Sequence, residues 1–429
     1  MRVLLTGATG FIGSAVLARL IGDGHDVVAV TRRAGPALCH PAVRWITVDI
    51  ARATPEAWAP HIQGIHAAVN CAGVLQDGLG DSTAGVHVAG AAALFAALEQ
   101  AGVRRVVHVS ALGIDREAAT AFMATKLAGD QALMAGTLDW VILRPSVVVG
   151  AAAYGGSALL RGLAALPFHP HLAEAGRLQV VQLGDLVETI AFFLDPCAPA
   201  RLTLEVCGPE ARQLPEVIAA YRQWLGLGKA RPVPVPGWLL RAVSWLGDAL
   251  GLLGWRAPVR TTARRELARG SVGDPGPWTA VTGIVPKPLA RALAETPASV
   301  QERWFARLYL VKPLIFGGLS LFWLATAILT LGPAWDASLS LLGATGIPAA
   351  AAGPLAAAGA MADCLIGLGI AFRATAKRAL GAGLALSAAY LAAGTVLAPA
   401  LWADPLGPLL KIVPVMALTL VALAIADDR

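Results

Sequence analysis

The stretch MRVLLTGATGFIG, Met1–Gly13, decides the fold. Val3, Leu4 and Leu5 form an apolar run of the length of a buried strand. Gly7, Gly10 and Gly13 follow at G-x-x-G-x-x-G spacing, and the apolar periodicity of Ser14–Ile21 predicts a helix. Strand, glycine turn and helix start, in that order, make a cradle for a dinucleotide pyrophosphate. Glycine admits positive φ and lets the backbone approach a ligand. The helix N-terminus adds unsatisfied N–H groups and the positive end of its dipole. The motif carries weight because its structural context stands on both sides. The competing interpretation is a tight strand–helix turn that binds nothing.

Working outward, residues 1–150 alternate between short strands and helices. Val27–Val30, Arg44–Val48, Ala67–Val69, Val106–Val109 and Trp140–Leu143 are expected strands; Gly90–Ala101 and Phe122–Met134 are expected helices. Such alternation implies βαβ units and a parallel sheet, with ligands at the carboxyl ends of the strands.

The 429 residues suffice for two or three domains. Hydrophobic residues make up 56% and charged residues 14%, with a mean hydropathy of +0.63. Soluble proteins carry about a quarter charged residues, so part of the chain is expected in lipid. Charges are dense before residue 312, and long runs lack them afterwards. The net charge of +6 comes without a basic stripe interleaved with aromatics, which argues against nucleic acid and fits cations near a membrane surface. Five cysteines, Cys39, Cys71, Cys197, Cys207 and Cys364, show no metal-type spacing; no metal site is expected, and a reduced, cytosol-facing protein fits. The N-terminus runs directly into the first strand, so no signal peptide is expected.

Several of these segments together resemble an extended or atypical short-chain dehydrogenase/reductase (SDR), with the flavour of the NmrA-like and complex-I-accessory-subunit-like members. They are Gly7–Gly13, Asp49, Asn70-Cys71-Ala72-Gly73, VRRVVHVSALG at Val103–Gly113 and LRPSVVVG at Leu143–Gly150. The resemblance covers residues 1–210 and extends loosely to about 300. It implies an α/β Rossmann fold, a doubly wound parallel sheet with a small substrate lobe, over residues 1–300. It also implies cofactor contacts from Gly7, Thr9, Gly10, Phe11, Ile12 and Gly13, adenine contacts from Asp49 and Ile50, and further contacts from Cys71, Ala72, Gly73, Ser110, Lys126, Pro145 and Val147.

The end of the second strand selects the cofactor. An acidic residue there bonds the ribose 2′-hydroxyl of NAD, whereas Arg suits a 2′-phosphate. This chain has Arg32 and Arg33 and no acid, which points to NADP over NAD. A solvated basic pair is the alternative.

The catalytic motif departs from the family. SDR chemistry uses Tyr-x-x-x-Lys, in which the Lys lowers the Tyr pKa and the phenol exchanges a proton with substrate. The matching segment is Phe122-Met123-Ala124-Thr125-Lys126, so the hydroxyl is missing. Lys126 can still hold the nicotinamide ribose. Ser110 opens the motif of the partner hydroxyl, but Ala111 and Leu112 stand where that hydroxyl usually lies. His87 and His108 are near the site and are weighed as replacement acids against a packing role.

In residues 151–300, Gly155–Leu166 and Leu186–Leu194 are expected helices, Gln179–Gly184 a strand, and RPVPVP at Arg231–Pro236 an extended segment. Ser271–Pro277 is an expected turn. Pro236–Arg256 carries Trp238, Trp245 and Trp255 among leucines, with Arg241, Ser244 and Asp248 on one polar stripe. It is either a helix at the lipid headgroup level or a helix of the substrate lobe. The basic run Arg256–Arg269 faces either anionic lipid or solvent.

Residues 305–429 contain four apolar segments, near 310–331, 353–372, 379–401 and 406–426. Each has the length to cross roughly 30 Å of hydrocarbon. The region resembles the DoxX-like family of four-helix membrane domains, Asp363-Cys364-Leu365-Ile366-Gly367 matching its acidic-x-x-apolar-Gly pattern. Arg303, Arg307, Lys312, Arg373, Lys377 and Arg378 flank one side of the spans, while 332–352 and Trp402–Asp404 have no Lys or Arg. The positive-inside rule then puts the Rossmann domain and both termini in the cytoplasm, at a bacterial-type inner membrane. Asp363 and Lys411 are the ionisable residues within the spans and are expected to face the bundle interior or pair.

The expected protein is a membrane-anchored NADP(H)-binding oxidoreductase or isomerase acting on an apolar lipid, isoprenoid or quinone-like substrate. The alternative is a catalytically inactive NADP(H)-binding structural or sensory module. The expected partners are the bilayer and a small apolar substrate.

Overall fold

The computed structural model describes residues 1–32, 39–116 and 120–427. They form two units: Met1–Asp248 with Ala257–Arg307, and Ala249–Arg256 with Leu308–Arg429.

The strands of the first unit are β1 (Arg2–Thr6), β2 (Asp26–Thr31), β3 (Val43–Thr47), β4 (Ala67–Asn70), β5 (Arg105–Val109), β6 (Asp139–Pro145), β7 (Val147–Val149), β8 (His169–His171), β9 (Leu178–Gln182), β10 (Leu202–Val206), β11 (Ala211–Arg212) and β12 (Pro232–Pro234). Seven of them form one sheet in the order β10-β6-β5-β4-β1-β2-β3, every pairing parallel. The chain runs outward from β1 to β3, then returns to lay β4 on the other side of β1. At that switch point, outside the carboxyl ends of β1 and β4, open α/β sheets place their ligand crevice.

The helices are α1 (Phe11–Gly22), α2 (Pro55–Ile62), α3 (Gly90–Gln100, preceded by a wide π-type turn over Gly85–Ala89), α4 (Ala121–Met134), α5 (Gly155–Ala164), α6 (Leu183–Leu194), α7 (Leu214–Trp224), α8 (Gly237–Leu252), α9 (Thr261–Arg269), α10 (Gly276–Thr282), α11 (Leu289–Ala294) and α12 (Val300–Tyr309). Helices α1 and α6 cover one face of the sheet and α2, α3 and α4 the other. Val3, Leu5, Val27 and Ala29 pack with Val16, Leu20, Ile190 and Phe193 on one face. Leu4, Val28 and Val30 pack with Trp58, Leu94, Phe95 and Leu133 on the other. Burial on both faces is why these strands are continuous apolar runs rather than alternating ones.

Two small sheets, β11-β9-β7 and β12-β8, build a lobe with α5, α7 and α11 around Leu160, Leu178, Val217, Ile218 and Tyr221. Here the boundaries differ from expectation. Strand β9 ends at Gln182 and α6 starts at Leu183, ahead of Leu186. Pro232–Pro234 is a short strand paired with β8, in keeping with prolines confined to sheet edges. The expected turn at Ser271–Pro277 ends in the first residues of α10.

The second unit contains α13 (Lys312–Leu331), α14 (Trp335–Ala344), α15 (Ala349–Ala371), α16 (Ala376–Leu397) and α17 (Pro408–Ala424). Among the described residues, α13, α15 and α16 are long and apolar enough to cross a membrane. The fourth apolar stretch forms the shorter α17, of 17 residues, because Gly407 in the left-handed region and Pro408 start the helix two residues late. The loop expected at 332–352 contains α14. Ile315, Phe316, Leu319 and Trp323 meet Ile366, Ile370 and Leu380 in its core. Ser320 Oγ donates to Gly367 O at 2.8 Å, and a Cβ on Gly367 would lie 2.7 Å from Leu324 Cγ, so α13 and α15 touch through a glycine.

Of the two ionisable residues expected to face the bundle interior or to pair, Asp363 is buried and the Asp363–Lys411 pair is not formed. Asp363 is 5% exposed, and its Oδ1 accepts a hydrogen bond from Tyr390 Oη at 3.1 Å. Lys411 sits exposed on α17, and no ion pair joins it to Asp363.

Candidate functional site

The glycine loop connects β1 to α1. Gly7 has φ +64°, and a Cβ there would lie 2.7 Å from Cys71 O; on Gly10 it would lie 2.8 Å from Gly7 O, and on Gly13 2.1 Å from the same oxygen. None of the three positions has room for a side chain. Gly10 is extended (φ −75°, ψ 169°) and caps α1, which therefore begins at Phe11 rather than Ser14. Thr6 and Asn70, neighbours in register across β1 and β4, tie the crevice floor: Thr6 Oγ1 donates to Asn70 Oδ1 at 2.5 Å, and Ala72 N donates to the same oxygen at 3.2 Å. The Asn70–Gly73 segment thus sits directly across from the glycine loop. Thr9 and Ile12 lie within that loop and at the start of α1.

At the end of β2, Arg32 Nη1 donates to Gly80 O at 2.7 Å and meets Asp81 Oδ1 at 2.6 Å. Arg33 lies outside the described residues. Asp49 starts a short 3-10 turn, Ile50–Arg52. A Cβ on Gly90 would fall 2.1 Å from Ile50 O, so this turn is pressed against the start of α3.

Lys126 reaches the crevice from α4. It is 5% exposed, and its Nζ donates to Val109 O at 2.9 Å. A Cβ on Gly73 would lie 3.4 Å from that Nζ, which places the ammonium beside the Asn70–Gly73 segment. Burial lowers the Lys126 pKa to about 8, against the opposing pull of Asp130 and Cys71. Burial likewise pushes the Cys71 thiol up to about 12, so it stays protonated. Ser110 is buried at the end of β5, where its side chain faces the Asp130 carboxylate. Pro145 accepts from Leu112 N at 3.0 Å at the end of β6, and Val147 follows in β7.

The two histidines weighed as replacement acids are held by neighbouring polar groups. Val74 N donates to His87 Nε2 at 3.0 Å, so in the neutral ring the proton sits on Nδ1, 3.0 Å from Thr125 Oγ1. Burial, then the nearby Lys126 charge, lowers the His87 pKa to about 2. His108 is 2% exposed, with Nδ1 3.0 Å from Asn70 Nδ2 and Nε2 3.5 Å from Asp130 Oδ1.

A buried polar chain underlies the site, and sequence patterning gave no sign of it. From Thr6, Asn70 and His108 it continues to Asp130 on α4. Asp130 Oδ2 takes Nε and Nη2 of Arg144, each at 3.1 Å, and Arg144 Nη1 meets Asp115 Oδ2 at 2.6 Å. Burial works against the Asp130 carboxylate, but His108, the Ser110 hydroxyl and Arg144 keep its pKa below the usual value. Buried charges persist when paired and hydrogen-bonded, and this chain fixes β4, β5, β6 and α4 relative to one another. A second feature missed in sequence is Tyr154, whose ring stacks on Phe11, the first residue of α1, at 6.3 Å.

Three arginines of the expected basic segment are paired within the first unit. Arg260 meets Asp248, Arg264 meets Glu174, and Arg269 meets Glu266.

A glycine cradle closed to any Cβ, with a buried serine hydroxyl and a lysine at the ends of β4 and β5, fits a dinucleotide: the fold and site define an NAD(P)-binding Rossmann protein. Comparison with known families agrees. Residues 7–161 match the family described as NAD(P)H-binding, and residues 320–420 match the DoxX-like family. The chain therefore joins an NAD(P)-binding Rossmann domain to a DoxX-like domain. It is similar to a ceramide reductase of Caulobacter vibrioides, 27% identical over 194 residues, which are 44% of this chain and 60% of the relative. It is also similar to a 3-beta-hydroxysteroid dehydrogenase of Mycolicibacterium neoaurum, 31% identical over 118 residues, 25% of this chain and 31% of the relative. The chain thus spans less than two thirds of either relative. The Bordetella bronchiseptica enzyme WbmG, solved with NAD and UDP, superposes with a TM-score of 0.54 at 17% identity, over 71% of this chain and 96% of its own, and shares the fold.

Proposed function

We propose that this protein is an NADP(H)-dependent oxidoreductase of the SDR type, acting on a lipid-like carbonyl or alcohol and held at a membrane by its helical unit. The observation that carries this is the intact cofactor cradle, with Lys126 Nζ beside Gly73. Gly7, Gly10 and Gly13 would admit the pyrophosphate, and Asp49 and Ile50 would face the adenine. Arg32, with Arg33 next in sequence, supports NADP: Arg32 Nη1 is bound to Gly80 and Asp81, and a guanidinium has further N–H donors for a 2′-phosphate. When bound, NADP(H) exchanges a hydride with the substrate carbon.

The chain's own residues bind, orient and supply charge. Phe122 has no proton to give, and His87 is locked neutral. Lys126, titrating near 8, is a protonated group held at the site, and it would both position the ribose and carry positive charge beside the substrate oxygen. The names of two relatives, a reductase of ceramide and a dehydrogenase of a hydroxysteroid, support a lipid-like substrate. Three apolar helices and the DoxX-like domain support presentation of that substrate by a bilayer. The cations flanking the spans, Arg303, Arg307, Lys312, Arg373, Lys377 and Arg378, support a cytoplasmic Rossmann domain at an inner membrane. Phe122 favours a second interpretation, a non-catalytic NADP(H)-binding module anchored in the membrane.

The test is full-length protein in lipid nanodiscs, followed by the absorbance of reduced nicotinamide with ceramide-type and steroid ketones, isoprenoid aldehydes and quinones. Substrate-dependent oxidation above the lipid-only control supports the enzyme. Tight binding with no oxidation across the panel establishes the binding module instead.

A further inference from the structure

Helix α8 has its faces reversed. Its packed side presents small and polar residues. Ser244 is 1% exposed and bonds back to Leu240 O at 2.7 Å, and a Cβ on Gly247 would lie 2.1 Å from Val259 O. Asp248 locks the rotation of the helix, its Oδ1 accepting from Arg260 Nε at 3.0 Å and its Oδ2 from Thr261 Oγ1 at 2.5 Å. With that orientation fixed, the large apolar residues point outward: Trp238 is 64% exposed, Trp245 74%, Leu246 60% and Leu252 76%. In water such a face forgoes about 25 cal/mol for every Å² of apolar surface left uncovered. The polar stripe expected from Arg241, Ser244 and Asp248 exists, but Ser244 and Asp248 are occupied by the protein's own packing.

The last turn of α8, from Ala249, and the residues up to Arg256 belong to the second unit. There Leu253 O accepts from Arg373 N at 3.0 Å, and Trp255 Nε1 donates to Ala371 O at 2.6 Å. The Trp255 ring meets Phe316 at 4.9 Å and lies under the Arg373 guanidinium at 5.5 Å. Ala371 and Phe316 belong to the last turn of α15 and the first turns of α13, the ends of two candidate spans. A span that fills the hydrocarbon ends at the headgroup layer, and tryptophan settles there with its ring in apolar surroundings and its N–H in wet ones.

We infer that α8 lies in the lipid headgroup layer with Trp238, Trp245, Leu246 and Leu252 inserted, a second membrane attachment of the chain. Its occupant is the bilayer surface. The attachment holds whether or not the protein turns over a substrate.

Full-length protein in nanodiscs tests this, comparing the wild type with the Trp238→Phe/Trp245→Phe double variant. Both positions are exposed, so the substitution leaves the core intact, and an unchanged thermal midpoint confirms it. Two quenchers are used: lipids brominated near the carbonyl end of the acyl chain, and aqueous iodide. The expected result is that the emission lost in the variant is emission the brominated lipid quenches and iodide does not. Emission quenched by iodide alone overturns the inference, because the face then meets water. Emission quenched by neither also overturns it, because protein, such as a second copy of the chain, then covers the face.

Discussion

The ring of Phe122 stands edge-on to that of His87, centroids 5.7 Å apart and planes at 75°. The position that holds a phenol in the SDR pattern is thus filled by a hydrocarbon ring against an imidazole that burial keeps neutral. Phe122 is partly exposed, so a para hydroxyl has space. Positioned proton donors contribute roughly 10²–10⁴-fold. Phe122→Tyr should therefore raise kcat on any substrate the wild type accepts by at least about tenfold, with little change in NADPH affinity. An unchanged kcat would show that another acid already serves.

His87 also sets a pH limit on stability. Its ordinary pKa of 6.5 falls to about 2 in the fold, chiefly through burial. Between those values the unfolded chain binds a proton that the native ring refuses, so stability present above pH 6.5 is lost as pH falls. The slope is about 1.4 kcal/mol per pH unit for one proton. His108 is lowered in the same direction, again by burial first. Thermal melts between pH 7 and 5 should show a falling midpoint that is shallower in His87→Gln. Equal slopes in the two proteins would refute the buried neutral histidine.

Arg32 and Asp81 meet at 2.6 Å at the edge of the crevice. Charge-assisted hydrogen bonds contribute about 1.5–3 kcal/mol. Arg32→Ala should therefore lower the preference for NADPH over NADH by about 10- to 100-fold, with NADH binding nearly untouched. Equal losses for both cofactors would assign Arg32 to the loop rather than to the phosphate.

In the second unit, Asp363 depends on Tyr390. Intramembrane hydrogen bonds contribute about 0.6–2 kcal/mol. Tyr390→Phe should destabilise the protein by about that amount, and the loss should disappear when Asp363→Asn/Tyr390→Phe is compared with Asp363→Asn alone. Lys411→Met should add independently to Asp363→Asn in lipid-embedded melts. Coupling between Lys411 and Asp363 would contradict the observed arrangement.

The sheet was legible because its strands are buried on both faces and appear as unbroken apolar runs; Val3–Leu5 and Val27–Val30 needed no tertiary knowledge. The glycine loop was legible for a similar reason, its three positions being set by local sterics. What escaped depends on distance across the fold. Asp130 occupies an ordinary helical position, and nothing local says that Arg144, fourteen residues on, will meet it behind the sheet. His87 looked available because the π-type turn that aims its ring at Val74 N and Thr125 leaves no mark in hydrophobic periodicity. Asp363 stood out by isolation, but whether Lys411 or Tyr390 faces it depends on how antiparallel helices cross. The apolar stripe of α8 was visible, while the side it turns outward was set by Gly247 and Asp248.

The central claim is that the glycine loop holds NADP(H), and calorimetric titration of NADPH into full-length protein, wild type and Gly13→Ala, tests it most directly. A Cβ on Gly13 would stand 2.1 Å from Gly7 O, so the loop cannot keep its shape around one. The account predicts saturable one-site binding to the wild type, with NADH weaker, and loss of binding in a variant that still melts cooperatively. Equal NADPH binding by the two proteins, or none by the wild type, would contradict it.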